Sequence, residues 1–252
     1  MPVLVGTPSD DVPKILATGH IDITTVFVSM TARHPEGRDA DYIEWHCLDH
    51  RPEMHRLASM RASLRLVSTP ECRAARAASE EPYDRVDHVM TYLMASDTDA
   101  ALEEFKALNF AMLEVGRTPY LLPMIQRAVY RFDGIVASPR IKVGADVLPW
   151  WPPRGVYLLL EKGAAPVSDL IEVPGVAGVW CATGVPKGEP FSIGADNTGL
   201  QITYCYLDDD PVDTAQRLRA VMEKRWADAR VVPVLAAPFH TIVPYEWARY
   251  VP

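Results

Sequence analysis

The chain has 252 residues and a mass of 28.0 kDa, enough for one large domain or two small ones, each with its own core. Apolar residues make up 48% and charged residues 23%, which excludes a disordered chain. The formal charge of -8 and a pI near 5.4 argue against a nucleic-acid surface, and no apolar run is long enough to span a membrane.

The opening MPVLVGTPSDD lacks the basic and apolar regions of a signal peptide. Cys47, Cys72, Cys181 and Cys205 have neither disulfide-framework nor zinc spacing, so reduced thiols and a cytoplasmic location are expected. Residues 21–31 are rich in β-branched side chains and read as a strand. From Asp39 the pattern turns helical. Asp39 or Asp41 can cap the first turn, and Tyr42, Ile43, His46, Cys47 and His50 recur at helical spacing until Pro52 disturbs the helix. Residues 60–68 alternate, with Arg61, Ser63 and Arg65 on the side away from Ala62, Leu64 and Leu66, the pattern of a half-buried strand. An alanine-rich linker at 69–85 leads to a strand at 86–95. Ser96 or Asp97 then caps a helix whose apolar face is Ala101, Leu102, Phe105 and Leu108. Residues 127–137 read as the fourth strand.

The segment 138–154, with its prolines and Trp150–Trp151, reads as a linker in which the tryptophans pack over something. Strands at 155–161, 176–183, 199–207 and 230–243 follow, with a short helical piece at 167–171 and a helix after Asp210 that starts on Pro211. The order βαββαβ therefore occurs twice, which predicts an N-terminal unit over 1–137, a Pro/Trp linker over 138–154 and a C-terminal unit over 155–252. The expected class is α+β: tandem ferredoxin-like repeats whose bare antiparallel sheets press together into a pseudo-dimeric α+β barrel. At about 25 cal/mol per Å² of buried apolar area, closure is favoured over two exposed sheets. An apolar small-molecule cavity is expected inside that barrel.

The stretch Tyr42–Pro52 (YIEWHCLDHRP), an aromatic-rich helix ending in His50-Arg51-Pro52, resembles the EthD-like group of the dimeric α+β barrel superfamily. Val86–Phe105 is similar to that group's third strand and second helix, so the resemblance covers roughly residues 20–130. It implies an active site mainly in the first half, with the second half as a covering sheet. The superfamily includes cofactor-independent cyclases, isomerases, monooxygenases and lyases as well as haem enzymes, so the resemblance implies fold better than reaction.

Of the seven histidines only His240 falls in the second half. His46 and His50 lie about 40° apart on one helical stripe beside Tyr42. They read as acid–base groups, His50 foremost, or else as braces at a helix end favoured by the dipole. His88 shares a strand face with Met90, Tyr92 and Met94, which suits either a catalytic histidine in an apolar cavity or a core histidine bonded to backbone. The expected catalytic set is thus His50, His88 and His46, with Tyr42, Trp45, Tyr92, Met90 and His240 binding substrate. A metal held by His46 and His50 with His55 or Glu53 is the chelating alternative, but no metal-site motif accompanies it, and no metal or other cofactor is expected. There is no G-x-G-x-x-G, P-loop or G-x-S-x-G. These features predict a cofactor-independent lyase, isomerase or cyclase acting on a small hydrophobic, aromatic or polyketide-like molecule. A non-catalytic binding protein and a metal- or haem-dependent oxygenase are the alternatives, and a homodimer through the outer helices or sheet edges stays open.

Overall fold

The computed structural model describes residues 4–12, 22–95, 97–186, 196–227 and 229–252. Its strands are β1 (Ile23–Thr31), β2 (Met60–Val67), β3 (Ala78–Ser79), β4 (His88–Ala95), β5 (Met124–Ala137), β6 (Gly155–Lys162), β7 (Val176–Gly184), β8 (Leu200–Leu207) and β9 (Val232–Thr241). The helices are α1 (Asp39–Trp45), α2 (Arg51–Met54), α3 (Pro70–Ala74), α4 (Thr98–Glu114), α5 (Ser168–Ile171) and α6 (Pro211–Trp226). A π-helical turn, His46–His50, joins α1 to α2.

The strands form one antiparallel sheet in the order β2-β4-β1-β5-β7-β8-β6-β9-β3, closed by a further β2–β9 pairing. Within β1–β5 and within β6–β9 the long strands follow the ferredoxin-like arrangement, and each half's last long strand pairs with the other half's second. The two seams differ. β5 pairs with β7 from Tyr130 to Ala137, whereas β2 and β9 share only Leu66–Thr241 and Val67–His240. Eight long strands thus close an α+β barrel of the dimeric type within one chain, as the repeated element order predicts.

The barrel interior departs from expectation. Eight strands leave room for side chains and little else, and here Trp180, Tyr130, Tyr204, Tyr206 and Phe239 fill it together with the aliphatic residues of both halves. Around Thr91, Leu93, Trp180 and Tyr204 no space remains for a water molecule. Tyr204 and Thr91 join hydroxyls across the two halves at 2.8 Å.

Three local readings also need correction. β2 is buried on both faces, because Ala62, Leu64 and Leu66 face the barrel core and α1–α2 cover its Ser63 and Arg65 side. Residues 69–85 are not a plain linker; they hold α3 and the short β3, which pairs with β9. Asp39 is no helix cap, since it lies within α1 and its Oδ1 accepts from the His34 N–H (2.7 Å) and from His88.

Other punctuation follows the sequence. Asp97 caps α4 by accepting from Ala100 N–H at 2.9 Å, while Ser96 lies outside the described residues. Asp210 caps α6 through Val212 and Asp213. Of the two linker tryptophans, Trp151 packs against the core and Trp150 is 52% exposed.

Candidate active site

Pro52 has no N–H, and inside a regular helix its ring would meet the Leu48 carbonyl. The chain meets this by widening the turn before it: Arg51 N–H reaches back five residues to the His46 carbonyl. Such π-turns change which side chains share a face. Here Tyr42, His46 and His50 form one row against the outer face of the first half's sheet, with His46 and His50 ring centroids 5.2 Å apart. Trp45 flanks the row, 5.4 Å from the His50 ring.

Between this row, α4 and the sheet lies a cavity of about 300 Å³. Its floor is the helix-facing side of the sheet: Phe27, Ser29 and Thr31 of β1, Met90 and Tyr92 of β4, and Met124 and Arg127 of β5. Phe105, Asn109, Phe110 and Leu113 of α4 form one wall, and Thr118 to Leu122 close the other side. The cavity is therefore not the expected one inside the barrel; it lies on the opposite face of the sheet, under the helices. Alternation along β4 groups His88 with Met90 and Tyr92, but it does not say which face turns inward.

Six buried polar atoms on this lining have no hydrogen-bond partner among the described residues: Thr31 Oγ1, Trp45 Nε1, His46 Nδ1, His50 Nδ1, Tyr92 Oη and Thr118 Oγ1. They are half of the twelve such atoms among the described residues. Buried polar groups are normally satisfied because each orphan costs about 1–3 kcal/mol. Their gathering round one apolar hollow makes it the candidate ligand site.

Both histidines are held neutral. Burial pushes His50 down to about 4; Asp49 opposes this, and Arg65 and Arg117 add to it. His46 lies well below the ordinary imidazole range through burial first and then through Arg65.

His88, expected among the catalytic residues, is not on the lining of this cavity. It is fully buried, and both ring nitrogens are engaged. An arginine can only donate, so Arg65 Nη2 at 3.0 Å makes His88 Nδ1 the acceptor. His88 Nε2–H then donates to Asp39 Oδ1 at 2.8 Å. Burial lowers His88 to about 4 against the pull of Asp39, which agrees with this neutral tautomer. Arg65, 3% exposed, also lies over the Tyr42 ring at 4.6 Å. The chain Asp39–His88–Arg65 thus sets a buried positive charge behind Tyr42 and His46. Sequence reading missed Arg65 by assigning it to a solvent face.

His240 likewise stands apart. It lies on β9 at the β2 seam, and its ring stacks on Tyr250 at 3.9 Å. Tyr42, Trp45, Tyr92 and Met90 do line the cavity with His46 and His50.

The residues offered for a metal do not converge. His55 Nε2 bonds Ser63 Oγ at 2.7 Å, and Glu53 pairs with Arg56 and Arg117. No group of three or more His, Cys, Asp or Glu among the described residues could hold an ion.

No known family model matches the sequence, and no curated protein matches it. Solved structures are similar in fold. The protein named "Putative Chlorite dismutase TA0507" superposes with a TM-score of 0.50 over 89% of this chain and 98% of its own, at 10% identity. An anthrone oxidase-like protein gives 0.48 over 88% of this chain and 92% of its own, at 13% identity. At 10% identity the likeness to the first is one of architecture alone, in keeping with the closed α+β barrel described above.

Proposed function

We propose that the chain is a cofactor-independent acid–base enzyme acting on a small aromatic or polyketide-like molecule held in the helix–sheet cavity. The observation that carries this reading is the pair of buried, neutral imidazoles whose Nδ1 atoms have no protein partner on an otherwise apolar lining. His50 takes a proton from an acidic C–H or O–H of the substrate; the electron pair stays on the substrate as an enolate or phenolate. His50 then returns the proton at another position, which serves an isomerase, lyase or cyclase. His46 sits beside it as a second acceptor and donor.

An imidazole with a pKa near 4 is a weak base by itself. Transfer, however, creates an imidazolium beside an anion. At about 4 Å and an effective dielectric of about 20, their attraction is about 4 kcal/mol, equivalent to about three pH units of proton affinity. That brings His50 to the working range of a general base. The Arg65 charge behind Tyr42, together with the Trp45 N–H and Tyr92 O–H, stabilises the anion as it forms. The likeness of Tyr42–Pro52 to the EthD-like group supports placing the chemistry on this helix.

The test is exchange of solvent deuterium into 2-tetralone, an apolar carbon acid that fits the cavity. The wild type accelerates exchange above buffer, and His50→Ala slows it about 10²-fold or more. His46→Ala has a smaller effect. Wild-type exchange no faster than buffer, or a folded His50→Ala protein as fast as wild type, ends the proposal.

A further inference from the structure

The chain is acidic, with 33 Asp and Glu against 25 Lys and Arg. Yet the cavity lining has no carboxylate at all, and its one charged side chain is Arg127. Arg127 lies on β5 opposite Ser29 of β1, near Tyr42. Its guanidinium makes no hydrogen bond or ion pair with any described residue. Several other partly buried arginines are paired with carboxylates, Arg117 with Asp49 and Glu53, Arg140 with Asp208, Arg225 with Glu161, and Arg51 is bonded to Ser63. The second positive charge, Arg65, stands behind the Tyr42 ring with no carboxylate in direct contact. The neighbouring histidines are neutral, so nothing on the lining offsets these cations.

We infer that the cavity takes an aromatic carboxylate, with Arg127 as the anchor of the carboxylate group. Two parallel N–H donors match its two oxygens. Ser29 and the unpartnered Thr31 hydroxyl stand on the same strip of floor. His46 and His50 face the floor from the roof, so a substrate pinned at Arg127 presents its ring hydroxyl or acidic C–H to them. This substrate class rests on the cavity being the acid–base site proposed above.

The probes are 1-hydroxy-2-naphthoate and its neutral amide, 1-hydroxy-2-naphthamide, titrated into the 252-residue protein by calorimetry. A charge-assisted pair contributes about 1.5–3 kcal/mol, so the carboxylate binds the wild type at least about tenfold more tightly than the amide. Arg127→Gln removes that preference and leaves amide affinity within about twofold, while Arg127→Lys keeps part of it. Equal wild-type affinities, an equal loss for both probes in Arg127→Gln, or no binding of either at millimolar concentration overturns the assignment. The two proposals fail separately. A kept carboxylate preference without deuterium exchange removes the base and leaves the anchor; exchange without the preference does the reverse.

Discussion

The two halves share one topology and use the layer between helices and sheet in opposite ways. In the second half that layer is filled: Tyr157, Leu159, Leu170, Val173, Leu218 and Met222 close on one another. Its buried charge is matched, since Glu161 accepts from Arg225 (2.8–3.1 Å) and from Trp226 Nε1 (2.7 Å). In the first half, the π-turn and the short side chains Ser29 and Thr31 leave a hollow in which six polar atoms stand unpaired. α5, a single turn, plugs the place that the longer α1–π–α2 segment roofs in the first half. One scaffold therefore yields a filled core on one side and a hollow with unpaired polar groups on the other.

Acid separates the halves most strongly. His50 and His88 have folded-state pKa values near 4, and His46 lies well below its ordinary value. Each binds a proton more readily when unfolded, near pH 6.5. Their contribution to stability is therefore complete above about pH 6.5 and is lost as pH falls through about 4. At 1.36 kcal/mol per pH unit, His50 and His88 contribute about 3 kcal/mol each across that window. Urea unfolding as a function of pH should show a steep fall below about pH 6.5, with His50 and His88 each taking up close to one proton on unfolding near pH 5. His50→Gln should remove one of these protons. A flat profile from pH 7 to 4.5 would mean that these rings are not buried.

The second half is broken by charge instead. Glu161→Gln leaves the Arg225 guanidinium buried without its counterion, at a cost of about 3–5 kcal/mol. Replacing both residues by leucine costs much less. Urea midpoints of the three proteins check this. Equal losses in the single and double variants would show that packing, not the charge pair, holds that layer.

The fold was legible from element order because strand alternation, the Asp97 and Asp210 caps and Pro211 are local signals that tertiary packing did not override. The side of the sheet that bears the cavity was not. On β4 both faces are apolar, so His88, Met90 and Tyr92 could not be told from Val89, Thr91 and Leu93 by pattern alone. Bulk offers the missing signal: Trp180, Tyr204 and Tyr206 are too large to leave a hollow inside an eight-stranded barrel, whereas Ser29 and Thr31 are short. Arg65 escapes notice because a lone arginine in an alternating strand reads as solvent-facing, and nothing local marks Arg127 at the start of the 127–137 strand. His240 was misplaced because nothing local encodes the β2–β9 seam or the Tyr250 ring that covers it. His46 and His50 were found together because i, i+4 spacing keeps them adjacent even through a π-turn.

The smallest effect distinguishes cavity from core at matched residues. Tyr92 and Tyr204 are both buried tyrosines, 2% and 3% exposed. The Tyr204 hydroxyl bonds Thr91 inside the barrel, while the Tyr92 hydroxyl faces the cavity without a partner. Tyr204→Phe strands the Thr91 hydroxyl and should cost about 1–2 kcal/mol. Tyr92→Phe removes an unsatisfied group and should raise stability by about 1 kcal/mol, while slowing deuterium exchange into 2-tetralone by removing a donor to the enolate. Stability gained as turnover is lost is the mark of a polar group kept for a ligand. If Tyr92→Phe instead destabilises the fold as much as Tyr204→Phe does, the Tyr92 hydroxyl has a structural partner and the cavity loses one of its donors.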